Sequence, residues 1–412
     1  MTTPLKILLL HQNFPGQFLH LAPALVRLGH QVVAMGVMRS KIDMPGVRYL
    51  RHQPEVPVSR PSPSGLLAAA DLESKVCRGE SALQALLALH QEGFRPDVVF
   101  AHPGWGEALF IKNLFPATRL LIYAEYYYGS PQGDTAFDPE FSKPSLPQSQ
   151  RNTLKNTHLL HALSECDLAV SPTQFQCSQH PAWAQPKISV IHDGIDTTRF
   201  RPDPAARVTL QSAGVTLRAG DEVITFVARQ LEPYRGYHTF MRALPLLQQL
   251  RPLARIVIVG GDGVSYGSPP PQGHSWKHIF HAEVRAALDP SRIHFVGRVP
   301  HGVLTQLLQL SAAHVYLTYP FVLSWSLLEA MSIGCLVVAS DTAPVREVIK
   351  QGRNGLLTDF FDPAALARTV AHALDQREAM KPLRVAARQT IVDRYDLQGH
   401  CLPRQLGFVL SK

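Results

Sequence analysis

The sequence predicts an α/β protein of two doubly wound, Rossmann-like domains. Three observations carry this. Short apolar runs alternate with helical stretches from the start of the chain. The same grammar begins again at Val223, after a Pro-containing break. The 412 residues, 45% of them hydrophobic, suit more than one soluble core.

The elements follow in order. Leu5–Leu10 reads as a buried strand, HQNFPGQF as a loop, and the next residues as a helix through Leu28, ended by Gly29. Gln31–Met35 is the second strand. Apolar strands joined through helices are the pattern of a parallel sheet covered on both faces. Further strands are expected at Asp97–Ala101, Leu120–Ala124, Leu168–Ser171 and Ile188–Ile191, with helices at Ser81–Gln91 and Thr153–Glu165. The second round opens with strand Val223–Ala228, the loop RQLEPYRG, a helix near His238–Gln249 and strand Arg255–Gly260. Strands Ile293–Val296, Val315–Thr318 and Leu336–Ser340 complete it. Pro202, Pro204 and several charges place the boundary within Asp193–Leu217. The expected domains are therefore 1–195 and 196–385. A last helix near Leu383–Tyr395 is expected to lead residues 386–412 back toward the first domain. Arg51–Gly65, Ser130–Gln150 and Val264–Ser275 are long Pro- or Gly-rich loops, and loops of such length often serve function.

Charge and composition narrow the class. The formal net charge of +8 suits phosphorylated ligands or an anionic membrane surface. No dense Lys/Arg block and no nucleic-acid motif accompanies it, so nucleic acid is not an expected partner. No apolar run approaches the roughly 20 residues that span a bilayer. A cytoplasmic protein is expected, with peripheral membrane contact left open. The five cysteines are scattered without CxxC spacing and read as reduced thiols. No His/Cys/Asp grouping has metal-ligand spacing, so no metal and no resident cofactor are expected.

Candidate chemistry gathers at predicted strand ends. In YPFVLSWSLLEAMSIGCLVVASD, Glu329 is an acid inside an apolar helix, which demands a partner or a ligand. The helix start around Ser324, Trp325, Ser326 and Leu327 offers backbone N–H groups to a phosphate. Arg229 and Arg235 leave the end of one strand, and two arginines on a short loop can clamp a diphosphate. Gly16, in the turn after the first strand, permits close ligand approach or simply a tight turn. His102 in AHPGWG can bond a sugar hydroxyl, with Trp105 as a stacking surface. Glu125 and Tyr126 line either an acceptor pocket or a half-buried aromatic patch. Arg298 and Val299, after the strand IHFV, can meet phosphate and a base edge.

Together, FVARQLEPYRG, IVIVGGDG, HFVGRVPHGVLTQLL, SWSLLEAMSIGCLVVASDTAPVREVI and GRNGLLT, preceded by VIHDGIDTTRFRP, resemble glycosyltransferase family 4. That family consists of retaining enzymes with the B-type fold, two Rossmann-like domains facing across a cleft. The resemblance implies that the second domain binds a nucleoside diphosphate sugar. It makes Arg229 the phosphate-binding arginine, Arg235 the stand-in for the family's lysine on a loop one residue longer, and Glu329 the ribose-binding acid. Ser324–Leu327 would supply donor-facing amides, Gly16 matches the family's glycine loop, and His102 its histidine beside the transferred sugar. The family's earlier Glu, which touches the donor sugar, is here Phe321. The implied function is transfer of a sugar to a hydroxyl acceptor in polysaccharide, glycolipid or other glycoconjugate synthesis, without a metal. The acceptor is open, a lipid-linked one included. A nucleotide-sugar-binding protein without turnover and a nucleotide-sugar epimerase are the alternatives.

Overall fold

A computed structural model describes residues 3–38, 44–55, 67–129 and 133–411. Of the long loops anticipated above, 56–65 and 130–132 lie outside the described residues. The chain forms two compact units. The first comprises Met1–Ala136, Lys143–Asp193 and Gln398–Lys412, and the second Phe137–Ser142 with Gly194–Leu397.

The first unit is built on a seven-stranded parallel sheet. Its strands are β1 (Lys6–Leu10), β2 (Gln31–Gly36), β3 (Val47–Arg51), β4 (Val98–Ala101), β5 (Arg119–Tyr123), β6 (Leu168–Ser171) and β7 (Ile188–Val190). They lie in the order β3-β2-β1-β4-β5-β6-β7. The apolar runs read from sequence are the interior strands, and Ile7–Leu10 are wholly buried. β3, with the sequence VRYLR, was not anticipated. It is an edge strand, only partly buried, and its two arginines break the apolar signature. The helix expected at Ser81–Gln91 begins much earlier and spans Leu67–Gln91. The helix expected at Thr153–Glu165 spans Leu146–Glu165, capped by the Ser145 side chain.

The second unit holds a six-stranded parallel sheet and a two-stranded hairpin. The hairpin pairs β8 (Arg207–Leu210) with β9 (Val215–Arg218), antiparallel, and Gly214 turns the chain with φ +61°. It occupies the last part of the stretch Asp193–Leu217 read from sequence as the domain boundary. Its Val208, Leu210 and Leu217 share a core with Val223, Val257 and Leu307. The sheet strands are β10 (Val223–Gln230), β11 (Arg255–Gly261), β12 (Ile293–Gly297), β13 (Ala313–Tyr316), β14 (Val337–Ser340) and β15 (Leu356–Thr358). Their order is β12-β11-β10-β13-β14-β15. In both sheets the strand order reverses direction at one point, β1/β4 and β10/β13. At such points the carboxyl ends of the strands splay loops apart and leave room for a ligand.

Two boundaries differ from the sequence-based expectation. The helix Arg377–Tyr395 stays with the second unit, where Ala387, Ile391 and Tyr395 enter the core around Leu327, Leu328 and Met331. Only the final helix, Leu402–Leu410, joins the first unit. Arg119 Nη2 donates to Phe408 O at 2.9 Å, and Gln405 Nε2 to His192 O at 3.1 Å. The second difference is Phe137–Ser142, expected in the first domain as part of the Ser130–Gln150 loop. It belongs to the second unit. Phe137 packs on Tyr319 and Phe360, and Phe141 on His238 and Trp276. Asp138 is the polar anchor: Tyr319 Oη donates to Oδ2 at 2.9 Å, and His238 Nε2 lies 3.1 Å from the same oxygen. Burial alone would raise the Asp138 carboxyl, but the hydrogen bonds from His238 and Tyr319 hold it below the ordinary range.

A prediction follows from this anchor. Asp138→Ala leaves a buried imidazole and a buried phenol without their acceptor, and should destabilise the second unit by about 3 kcal/mol in urea unfolding. The sign of the pH dependence follows from the lowered carboxyl. The contribution is present above the unfolded value of about 3.9 and is lost as pH falls through the lower folded value. A wild-type-like midpoint for the variant at neutral pH would show that the contact carries no stability.

Candidate functional site

In the second unit, the residues expected to hold a donor gather at the carboxyl ends of β10 to β13. Arg229 stands exposed near the end of β10, and its guanidinium makes no ion pair among the described residues. Arg235 is placed differently. It is 7% exposed, and its Nη1 donates to Thr318 Oγ1 at 2.8 Å, Val322 O at 3.2 Å and Tyr316 Oη at 3.4 Å. Its guanidinium also lies 5.0 Å from the centre of the Tyr266 ring. Burial would lower its pKa, but Tyr316, Tyr266 and Glu232 outweigh that, so the charge is kept. The expected clamp is therefore asymmetric: Arg229 is exposed, whereas Arg235 is a buried cation bound to Thr318, Val322 and Tyr316.

Arg298 reaches the same edge. A Cβ on Gly261 would lie 2.6 Å from Arg298 Nε, so only a glycine lets that side chain cross the end of β11. Gln230 fixes the neighbouring turn by accepting the Gly263 N–H at 3.0 Å. Val299 follows Arg298, partly buried.

Glu329 is 7% exposed in the helix Trp325–Ile333, as an acid in an apolar helix should be if it has a task. Its carboxylate faces His301 Nε2 at 3.3 Å. His301 was missed by sequence reading because it opens a separate helix, after Arg298-Val299-Pro300. The amides expected to face a phosphate are largely engaged. Ser324 N–H donates to Tyr316 Oη at 3.0 Å, Ser326 N–H to Ser324 Oγ at 3.3 Å, and Leu327 N–H to Ser324 O at 3.2 Å. Ser324 thus acts as a helix cap, and Trp325 stands 41% exposed beside it.

Two further features were not legible from motifs. Glu232, fully buried, accepts N–H groups from Ser265, Tyr266 and Gly267, each at 3.2 Å. That ties the Val264–Ser275 loop to the loop after β10. Phe321 is buried in an aromatic cluster with Tyr234 and Tyr266, at ring separations of 5.6 and 5.1 Å. Separately, Asp138, Glu140 and His238 offer atoms within 4.8 Å of one another, a proximity that sequence spacing did not show. Glu140 there forms a two-point pair with Arg242, at 2.7 Å for each contact.

In the first unit, β1, β4 and β5 bring His11, His102 and Glu125 together. Asn13 N–H donates to His11 Nδ1 at 3.0 Å, which places the proton on Nε2, and Nε2 donates to Gln17 Oε1 at 2.7 Å. Gln17 Nε2 then donates to Glu125 Oε1 at 3.1 Å. Gly104 N–H donates to His102 Nδ1 at 3.2 Å, so His102 also carries its proton on Nε2, which faces Glu125 Oε2 at 3.5 Å. The carboxylate is thus held from two sides. Burial would raise the Glu125 carboxyl, but His102 and then His11 override this and keep it low. Burial, with His102 next to it, lowers His11 to about 3, so His11 is a neutral imidazole.

His102 is buried between His11, Trp105 and Tyr123, with ring separations of 5.2, 4.5 and 5.4 Å. Glu125, about one-third exposed, is the member that can meet a hydroxyl. Gly16 backs onto the same cluster: its φ is +47°, and a Cβ would lie 2.3 Å from His11 Nε2. Tyr126 is buried, with its hydroxyl 3.2 Å from Asp134 Oδ1. His11 and Gln17 lie in the loop HQNFPGQF, but only the strand order reveals their network with His102 and Glu125.

Comparisons with known proteins agree across both units. Residues 28–200 match the glycosyl transferase family 4 group, and residues 211–390 match glycosyl transferases group 1. Over 196 residues the chain is 28% identical to a D-inositol 3-phosphate glycosyltransferase of Corynebacterium efficiens, covering 47% of this chain and 44% of that one. It is 27% identical over 222 residues to a GDP-mannose-dependent alpha-(1-6)-phosphatidylinositol monomannoside mannosyltransferase of Mycobacterium tuberculosis, covering 50% and 52%. The chain therefore spans about half the length of the curated relatives it matches. Among solved structures, sucrose-phosphate synthase of Thermosynechococcus elongatus matches with a TM-score of 0.73 at 18% identity over 98% of both chains. HepE of Anabaena, solved with UDP and glucose, matches at 0.70 and 17% over 99% of both. At such identities the likeness shows the fold.

Proposed function

Because the chain belongs to glycosyltransferase family 4, we propose that it transfers a sugar, with retained anomeric configuration, from a nucleoside diphosphate sugar to a hydroxyl acceptor. The observation that supports this most is that exposed Arg229 ends β10 while the buried carboxylate of Glu329 lies in the helix that follows the neighbouring strand β13. Arg229 would bind the diphosphate, with Arg298 beside it and the buried charge of Arg235 behind. Glu329, held by His301, would accept hydrogen bonds from the ribose hydroxyls. These arginines take the charge-neutralising role, so the reading needs no metal.

In the transfer step, the bond from the anomeric carbon to the β-phosphate oxygen breaks and a bond to the acceptor oxygen forms on the same face. The acceptor proton passes to the departing phosphate oxygen. Arg229 stabilises the charge that develops there, which lowers the barrier more than it tightens ground-state binding. Glu125 would hold the acceptor hydroxyl, with His102 and Gln17 as positioning residues. Synthesis of a polysaccharide, glycolipid or other glycoconjugate is the setting that fits such a reaction. Among the described residues no helix is long and apolar enough to cross a membrane.

A thermal-shift screen of nucleoside diphosphates and their sugars tests the reading, since a ligand that binds only the native state raises apparent stability. UDP-glucose and GDP-mannose are the first to try, because HepE was solved with UDP-glucose and a relative is named for GDP-mannose. At least one nucleotide should shift the second unit's transition, and Glu329→Gln should weaken that binding by about tenfold. If none shifts it, the reading fails. Phe321 favours a second reading, binding without turnover, because an aromatic ring replaces the carboxylate that should meet the donor sugar. Nucleotide binding with neither transfer nor donor hydrolysis would select it.

A further inference from the structure

The segment VIHDGIDTTRFRP carries a polar turn, residues 196–200, at the start of the second unit. Asp196 Oδ1 accepts the N–H groups of Thr198 and Arg199, each at 3.1 Å, and the Thr198 hydroxyl at 2.6 Å. An aspartate that bonds the backbone ahead of it fixes a turn by itself. Phe200 closes the turn, its N–H donating to Asp196 O at 2.8 Å, and enters the core beside Leu327 and Leu328. The Phe200 carbonyl accepts the Ser332 hydroxyl at 2.6 Å. Leu327, Leu328 and Ser332 belong to the helix Trp325–Ile333, which also carries Glu329. The turn is therefore pinned to the helix of the candidate ribose-binding acid.

From this turn Arg199 reaches His301. Its Nη2 donates to His301 Nδ1 at 3.2 Å. A guanidinium can only donate, so Nδ1 is the nitrogen with the lone pair and Nε2 carries the proton. Nε2 faces both oxygens of Glu329, at 3.3 Å to Oε1 and 3.4 Å to Oε2. The Phe200 ring backs both groups, with its centre 5.2 Å from Arg199 Cζ and 5.3 Å from the imidazole. Without Arg199, the neutral ring is free to carry its proton on Nδ1. Nε2 would then turn a lone pair toward a carboxylate, and two acceptors facing each other repel.

We propose that Arg199 is a positioning residue for nucleotide binding: it holds His301 as the Nε2–H tautomer, and His301 in turn holds the Glu329 carboxylate where it meets the paired hydroxyls of a ribose. The role in ribose binding rests on the sugar-transfer reading; the chain from Arg199 through His301 to Glu329 rests on its own geometry. Arg199 and His301 are both exposed, so truncating either uncovers no core.

Calorimetry on the full chain with UDP, GDP and ADP, and with their 2′,3′-dideoxy forms, tests this. Arg199→Ala and His301→Ala should each weaken the tightest of the three ribonucleotides by about fivefold, with unfolding in urea unchanged. Neither should alter binding of the matching dideoxy form, which has no hydroxyl for Glu329 to accept. The double variant should bind no more weakly than His301→Ala alone, because Arg199 acts through the imidazole. His301→Gln should stay within about twofold of the wild type, since an amide accepts from Arg199 and donates to Glu329. Ring-nitrogen NMR in mildly alkaline buffer, with His301 assigned from the His301→Ala spectrum, should show the proton on Nε2 in the wild type and a mixture of tautomers in Arg199→Ala. Equal weakening of ribose and dideoxy forms, additive losses in the double variant, or a wild-type proton on Nδ1 would overturn the proposal. Nucleotide binding that ignores Arg199 and His301 removes the positioning role and leaves sugar transfer standing. No binding of any of the three to the wild type removes the sugar-transfer reading, and the positioning role with it.

Discussion

Replacing Arg229 by alanine is expected to lower sugar transfer by about a hundredfold or more while leaving unfolding unchanged. The reason is where the side chain stands. Arg229 is exposed at the end of β10, engaged in no ion pair among the described residues, so its removal uncovers no core and breaks no internal bond. On the proposed reading its charge would meet the departing diphosphate. A KM effect alone would mean that it binds donor and transition state equally. Arg235→Ala is a useful contrast. That side chain holds Thr318, Val322 and Tyr316 together, so its loss should lower stability and activity in step. Steady-state rates with purified donor and acceptor, next to urea unfolding, separate the two outcomes. Near-normal turnover by Arg229→Ala would remove it from the site.

Gly106→Ala should destabilise the first unit by about 3 kcal/mol or more, a fall of about 10 °C in its transition. Gly106 has φ +107°, a conformation that an alanine adopts only under strain. Its added Cβ would lie 2.1 Å from Lys75 O, a backbone atom that cannot swing aside. From the other side, a Cβ on Gly79 would lie 3.0 Å from Gly106 O. The two glycines therefore set how closely the helix Leu67–Gln91 approaches the turn after β4. Since Lys75 and His102 lie on those two elements and line one cavity with Glu125, the substitution should also disturb that cavity. Gly407→Ala is the control: in the final helix, with nothing near its Cβ, it should be neutral or stabilising by up to about 1 kcal/mol. Differential scanning calorimetry reads both, and equal transitions for the two variants would sink the argument.

The strands were legible because their information is local. β6 matches its expected bounds, and β1, β2, β11 and β14 differ at one end only. Each is a run of apolar residues that period and length identify. β13 is shifted, since Val315–Thr318 was expected and Ala313–Tyr316 is observed; Leu317 and Thr318 are buried but lie past the ladder. The hairpin β8/β9 was read as linker because Pro202, Pro204 and charges dominate that stretch, while its apolar residues alternate over only a few positions. Arg229 and Glu329 were singled out as candidates by type and setting. Their different partners, none for the arginine among ion pairs and His301 for the acid, were not.

From the sequence alone come two rounds of β-α grammar, a soluble composition, and the residue types at the strand ends, because apolar period and helix signals act over a few neighbours. Tertiary structure alone decided what those residues do to one another. The order β2-β1-β4-β5 carries His11, Gln17, His102 and Glu125 into one network across more than a hundred residues of chain. Packing on Tyr319 and His238 assigns Phe137–Ser142 to the second unit. Burial turned Arg235 from an expected open clamp into an internal cation. These outcomes depend on which distant surfaces exclude water from which polar atoms, and no local pattern encodes that.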